Sequence, residues 1–190
     1  MPWLQWTLLP IVWVCWVIYW LSGRRRLKPV ERQESRRERL SHIIPMALAI
    51  LLFDIHLPRS SLLSGTFLPH RLLTYWLGFG GTVLGLLFTV YARRYLGGNW
   101  SGTVTLKRDH TLTREGPYRW VRHPIYTGLI LAFLGSAVAV STWQTLLACA
   151  IVLVTLIVKL RREERWMEER FGAAYVDYRS HTWALVPWIY

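Results

Sequence analysis

The sequence predicts an all-α integral membrane protein, a bundle of about five transmembrane helices, and three observations lead there. Of its 190 residues 53% are hydrophobic and only 18% charged, where soluble domains carry about a quarter charged residues. Uncharged stretches such as Trp3 to Leu21 and Leu72 to Ala92 approach the ~20 residues a helix needs to cross a bilayer. Twelve tryptophans, several of them near the ends of apolar segments (Trp3, Trp20, Trp76, Trp120, Trp143), match the aromatic belts of membrane interfaces. A soluble globular domain is excluded by this composition.

The first apolar segment, 3–22, lacks the positive start and small-residue cleavage site of a signal peptide and runs into Arg24-Arg25-Arg26, so it reads as a retained span. The 23–42 connection, with Arg and Glu mixed, predicts a solvated or interfacial helix. The segment 43–57 is short for a crossing and holds Pro45, Asp54 and His56, yet charge alternation requires it to cross. A third span covers 72–92. The last two, 124–140 and 143–159, suit a tight hairpin with Ser141-Thr142-Trp143 at its tip. Gly81 and Gly85 in the third span, and Gly128, Ala132 and Ser136 in the fourth, recur at the spacing that brings helix backbones close. Cys15 and Cys149 both lie in apolar runs and predict packing residues rather than a disulfide or metal framework. Trp13 and Trp16 are expected to face lipid. The chain divides into 1–71, N-terminal membrane helices with a basic loop, and 72–190, a core carrying the chemistry.

The net charge of +12 is a topology signal. Of the basic residues, eight fall in 23–42, two in 58–71, seven in 93–123 and six from Lys159 onward, so 21 of the 23 lie in alternate connections. The positive-inside rule then sets the N-terminus outside and puts the 23–42 loop, the 93–123 loop and the C-terminal tail in the cytoplasm. No nucleic-acid partner is expected; the partners are membrane lipids.

Gly78-Phe79-Gly80-Gly81 lacks the last glycine and the strand of a dinucleotide loop, so it predicts helix packing. No HExxH, GxSxG or P-loop occurs, and no metal site is expected. The 93–126 region is polar and glycine-bearing between two spans, and a connection of that length is more often functional than a mere connector. Pro124 suits the first position of the fourth span's helix, with His123 as its cap, which would aim that helix's N–H groups and positive dipole end at a carboxylate or polar ligand edge. Arg119, Arg122 and His123 cluster just before it. A second cluster, Lys159 to Glu164, leads to Met167 and Phe171; on a helix, Leu160, Glu163 or Glu164, Met167 and Phe171 share one stripe. A carboxylate on that stripe needs a partner, which Arg119 or Arg122 can supply.

Gly116-Pro117-Tyr118, Arg122-His123-Pro124-Ile125-Tyr126, Glu163-Glu164 and Phe171-Gly172 with Tyr175 and Tyr178 resemble the isoprenylcysteine carboxyl methyltransferase family of integral membrane enzymes, over about residues 72–188. The resemblance implies S-adenosylmethionine as cofactor, held in a cytoplasmic pocket formed by the 93–123 loop and the C-terminal helix, and a small lipophilic or isoprenoid-linked acceptor, most readily a carboxylate, entering from the bilayer. The cofactor contacts it implies are His110, Thr111, Leu112, Thr113, Tyr118, His123, Pro124, Ile125, Tyr126 and Glu163. The catalytic set is Lys159, Arg162 and Glu163, with Lys159 standing where the carboxyl methyltransferases carry an arginine for the substrate carboxylate. A bacterial or archaeal inner membrane is the expected setting. Rival readings are a phospholipid amine or thiol methyltransferase, an NADPH-dependent reductase of the related sterol type, and a non-catalytic membrane binding module.

Overall fold

The computed structural model describes residues 2–22, 30–55, 57–58, 60–100, 105–107 and 111–189. Six helices carry the described chain: α1 (Pro2–Ser22), α2 (Arg36–Asp54), α3 (Leu72–Leu96), α4 (Pro124–Val140), α5 (Trp143–Phe171) and α6 (Ala173–Ser180). By length and composition, α3 and α5 are able to cross a membrane, and Thr7–Ser22 and Pro124–Val140 are shorter apolar helices. The protein is therefore mostly helical. The purely α expectation needs one correction: β1 (Val30–Gln33) and β2 (Thr105–Lys107) pair antiparallel in a two-stranded ribbon. Part of the 23–42 connection expected to be helical is thus extended. Helix begins only after Ser35, which caps Arg36 onward in a full capping box with Glu38, two N-terminal donors being satisfied reciprocally.

α3 and α4 form the tightest pair, and the reason is the absence of side chains. A Cβ added at Gly78 would lie 2.3 Å from the Ala139 nitrogen, and one at Gly85 would lie 2.5 Å from the Ala132 nitrogen and the Gly128 oxygen. Backbones this close can be bridged by small hydroxyls: Thr82 donates to the Gly78 carbonyl at 3.0 Å and lies 3.1 Å from the Ser136 hydroxyl. Gly78 and Thr82 join the expected Gly81 and Gly85 in the contact row: a Cβ at Gly81 would meet the Gly135 Cα at 3.4 Å, and one at Gly135 would lie 2.7 Å from the Gly81 carbonyl carbon. Gly78 thus serves helix packing, as its surroundings in sequence suggested.

α1 lies along this pair. Trp13 donates to the Ser136 hydroxyl at 3.1 Å and Trp16 to the Thr89 hydroxyl at 2.7 Å, so both turn inward rather than to lipid. The physical reason is the indole N–H, which finds hydroxyl partners on α3 and α4 and none in hydrocarbon. Cys149 is buried, as a packing residue is expected to be, whereas Cys15 is exposed.

α2 runs antiparallel along α5. At one end, Gln144 donates to the carbonyls of Leu52 and Ile55 at 3.0 and 2.9 Å. At the other, Arg162 donates to the Glu38 carbonyl at 3.0 Å. The α4–α5 turn, Ser141 and Thr142, meets the connection that follows α2: Phe67 N–H donates to Ser141 at 3.1 Å and Trp143 N–H to Gly65 at 3.0 Å. The opposite end gathers the start of α2, the end of α3, residues 111–123, the last turns of α5, and α6. Connections of like parity therefore meet at the same end of the bundle.

Candidate active site

At that second end α4 begins. Pro124 is its first residue and His123 its N-cap, yet the His123 side chain makes no cap hydrogen bond. The backbone N–H groups of Arg122 and His123 are taken by the carbonyls of Trp183 and Ala184 at 2.8 and 3.0 Å, while Trp183 N–H donates back to Trp120 at 3.2 Å. Thr127 adds a bond to the Leu185 carbonyl at 2.6 Å. The C-terminal segment is thus zipped onto 120–127. Its carbonyls take donors just before the helix that had been expected to face a ligand.

The His123 imidazole is free of capping because it is engaged across the gap to α5. Its Nε2 lies 3.3 Å from Glu164 and its Nδ1 3.6 Å from Glu163, and the ring stacks on Tyr126 at 3° between planes and 5.4 Å between centroids. Tyr126 donates its hydroxyl to Glu163 at 2.6 Å. Arg122 donates through Nε to Glu164 at 2.6 Å and through a terminal nitrogen to the Thr182 carbonyl. Of the two arginines considered as partners for the α5 carboxylates, Arg122 takes the role, and exposed Arg119 lies over the Trp120 ring. Burial works against charge on Glu164, but the hydrogen bond and charge of His123, together with the Arg122 guanidinium, outweigh it and hold the carboxyl down at about 2.

Tyr118 is buried in the 3₁₀ turn Gly116–Arg119. Gly116 enters that turn at φ +57, with the Tyr95 ring 2.5 Å from where a Cβ would stand. Only glycine fits that backbone without strain. The turn is tied down by Tyr178, whose hydroxyl donates to the Tyr118 carbonyl at 2.5 Å. Burial pushes the Tyr118 phenol well above its ordinary value and the Tyr178 phenol up to about 12. Gly172, at φ +52, ends α5 and starts α6, which places Tyr175 and Tyr178 in the core.

The predicted site residues are brought together unevenly. Tyr118, His123, Pro124, Ile125, Tyr126 and Glu163 converge where α4 and α5 meet. Thr111, Leu112 and Thr113 lie on the segment leading into the 3₁₀ turn, with Thr111 exposed; His110 lies outside the described residues. Lys159 is 9% exposed, and its ammonium sits 5.5 Å from the Tyr126 ring. Arg162 takes the other direction: it meets Glu34 at 3.4 Å, the Glu38 carboxylate at 3.5 Å and the Ser41 hydroxyl at 3.4 Å. Glu34, 4% exposed, and His42, 7% exposed and 3.5 Å from it, belong to the N-terminal third and went unread in the sequence. The Ser35 to Glu38 capping box was the available signal for the turn that carries them. The tail 182–185 had no such signal, because its role is played by backbone.

The chain is 30% identical over 118 residues to the protein-S-isoprenylcysteine O-methyltransferase of Saccharomyces cerevisiae, covering 57% of this chain and 49% of that one. It is 27% identical over 129 residues to protein-S-isoprenylcysteine O-methyltransferase B of Arabidopsis thaliana, covering 65% and 66%. A methanethiol S-methyltransferase of Bradyrhizobium diazoefficiens is 39% identical over 71 residues, 37% of this chain and 24% of that one. The chain thus spans less than two thirds of each of these relatives. Among solved structures, the eukaryotic intramembrane Ras methyltransferase ICMT (isoprenylcysteine carboxyl methyltransferase) superposes with a TM-score of 0.55 at 24% identity, over 77% of this chain and 52% of that one, so the fold is shared. The phospholipid methyltransferase family model matches residues 73–174, from the start of α3 to the start of α6. That span is more than half of the chain and holds every residue of the His123, Tyr126, Glu163 and Glu164 network: the chain belongs to the phospholipid methyltransferase family.

Proposed function

We propose that this protein is an integral membrane methyltransferase that uses S-adenosylmethionine to methylate a lipophilic acceptor entering from the bilayer. One observation carries the reading: the residues of the RHPxY and Glu-Glu motifs, far apart in sequence, form a single network in which Glu163 accepts from Tyr126 at 2.6 Å and His123 stands between Glu163 and Glu164. Helices α1 to α5 are read as five spans, with the N-terminus outside and this network at the cytoplasmic end.

The residues present suit the cofactor's chemistry. S-adenosylmethionine, when bound, supplies an electrophilic methyl group on a cationic sulfur. Tyr126 offers a ring face that already lies within cation–π range of the Lys159 ammonium, and such faces favour cations. Glu163 is a carboxylate with one oxygen engaged by Tyr126 and would hold ammonium or hydroxyl donors. Tyr118 and the tail 182–185 cover the start of α4 and exclude water, which strengthens electrostatic interactions inside. His123 and Arg122 together keep Glu164 ionised, and Glu164 in turn holds the His123 ring. Lys159 presents a positive charge to the acceptor. A carboxylate acceptor needs no base. A thiol must lose its proton, for which Glu163 and His123 are the nearest groups, and the lysine in place of an arginine favours this second reading, since a point charge does not grip a carboxylate through two bonds.

The test is to incubate the purified protein with labelled S-adenosylmethionine and a bacterial or archaeal lipid extract, and to identify the labelled product. Calorimetric titration with S-adenosylhomocysteine and with NADPH runs alongside. Labelled lipophile and binding of S-adenosylhomocysteine alone are expected; binding of NADPH, or of neither, would overturn the reading.

A further inference from the structure

The outer face of α5 passes from exposed valines to two exposed arginines. Val154, Val158, Arg161 and Arg165 follow one another at intervals of four, three and four residues, so they share one stripe of the helix, and all four are exposed. Among the described residues, the side chains of Arg161 and Arg165 make no hydrogen bond or ion pair. Like charges one helix turn apart repel. The carboxylates on the adjoining turns that could relieve them are each taken by another element: Glu164 by Arg122 at 2.6 Å, Glu168 by Arg179 at 2.9 Å and Glu169 by Arg32 at 2.7 Å. The position of the pair along the helix matters as much. Trp143, 48% exposed, opens α5 and marks one interface of the five-span arrangement. At about 1.5 Å per residue, Arg161 stands about 27 Å and Arg165 about 33 Å further along, on either side of the edge of a hydrocarbon core about 30 Å thick.

We propose that Arg161 and Arg165 form a binding site for an anionic phospholipid of the cytoplasmic leaflet, its phosphate lying between the two guanidiniums and an acyl chain running along Val158 and Val154. The proposal rests on the five-span reading above and not on methyl transfer. A guanidinium presents a planar fork of donors that matches the oxygens of a phosphate, and an anion set between two cations turns their repulsion into attraction. A zwitterionic lipid carries its own cation beside the phosphate, so the pair favours a headgroup with net negative charge, as juxtamembrane arginines do. A lipid suits the stripe better than a soluble anion, because its phosphate and chains are arranged in the same order as the arginines and valines. Glu163, by contrast, lies on the side of α5 that meets Tyr126 and His123 of the α4 end, so a lipid held on the outer face leaves that network undisturbed.

The experiment uses the full chain with Cys15 and Cys149 replaced and a bimane fluorophore on Val158→Cys, in phosphatidylcholine nanodiscs. Phosphatidylglycerol or phosphatidylcholine with brominated acyl chains, which quench the probe on contact, is added in increasing mole fraction. Half-maximal quenching by phosphatidylglycerol is expected at a mole fraction about tenfold below that for phosphatidylcholine, the scale on which two arginines attract an anionic headgroup. Arg161→Gln with Arg165→Gln should bring the two midpoints together. These positions are exposed and glutamine is a good helix former, so the fold is not at risk. Arg94→Gln with Arg119→Gln removes the same charge from exposed positions at the same end of the bundle and should leave the tenfold separation intact. Soluble glycerol phosphate should not reverse the quenching. Equal midpoints in the parent protein, a preference that survives the loss of Arg161 and Arg165, or one lost equally with Arg94 and Arg119 would overturn the proposal, the last by showing a general field of positive charge instead of a site. Reversal by glycerol phosphate would make the ligand a soluble anion and overturn the lipid. None of these measurements involves methyl transfer, so they stand or fall apart from it. Labelling of Ser180→Cys by an impermeant maleimide in intact cells would instead break the sidedness of the five-span reading, and this proposal would fall with it.

Discussion

Glu163 and Glu164 are adjacent in sequence and differ in every partner, which separates their roles. Glu164 is closed in by Arg122 and His123, so it is a structural clamp between the start of α4 and the end of α5. Among the described residues, Glu163 meets a tyrosine hydroxyl and a looser approach from His123, so it retains capacity for a ligand. Glu163→Gln and His123→Ala should each weaken S-adenosylhomocysteine binding by about 1–3 kcal/mol, the usual loss for a hydrogen bond to a charged group; unchanged calorimetric affinity in both folded variants would remove them from the site. Glu164 shows itself through pH. Its carboxyl is held at about 2 against an ordinary 4.5, so the stability it contributes is complete above that ordinary value and drains away as the pH falls from 4.5 toward 2. In Glu164→Gln this part of the acid limb of the Tm profile should flatten. An identical slope in wild type and variant would show that the clamp contributes nothing.

The α3–α4 pair shows how much an element's packing depends on what is missing. Gly85→Ala would drive a methyl into the Ala132 and Gly128 backbone, and overpacking of this kind costs about 1–3 kcal/mol. Gly80, on the same helix with nothing within 4 Å of its added Cβ, is the control: its change to alanine should be neutral or gain about 0.5–1 kcal/mol in helix propensity. Equal Tm values for the two variants would contradict the packing described. The apolar helices α1, α3, α4 and α5 and the hairpin at Ser141 were legible in composition, because a long apolar run accumulates its signal. The contact row was legible as far as Gly81 and Gly85, whose interval is right; that Gly78 and Thr82 join them depends on the crossing of the two helices. The inward turn of Trp13 and Trp16 was hidden likewise, since their hydroxyl partners Thr89 and Ser136 lie on other helices. The strand at Val30–Gln33 was masked by its charges, which read equally well as a solvated helix.

At the scale of the whole molecule, the site is an assembly of three distant regions, and only one of them wrote its role into a motif. The Arg122 to Tyr126 and Glu163-Glu164 residues were readable because side-chain chemistry fixes their types. The tail 182–185 acts through carbonyls that any sequence supplies, and Glu34 acts through an ion pair with a helix far along the chain. What unites the regions is the sidedness of the bundle. Basic residues crowd the alternate connections, and the structure independently gathers connections of the same parity at one end: 65–67 against 141–143, and the α2 start with the end of α5. The two facts have different origins, one in charge and one in packing, and both support the five-span arrangement proposed above, in which the network lies at the positive, cytoplasmic end. In a variant with Cys15 and Cys149 replaced, single cysteines at exposed Ser60, Arg37 and Ser180 report on this directly. A membrane-impermeant maleimide added to intact cells should label Ser60→Cys at once, and should reach Arg37→Cys and Ser180→Cys only after permeabilisation. Labelling of Arg37→Cys and Ser180→Cys on opposite faces would break the five-span model. Labelling of both from outside, with Ser60→Cys protected, would keep the spans but invert them, and would put the Glu163 network on the side of the membrane where no cytoplasmic cofactor can reach it.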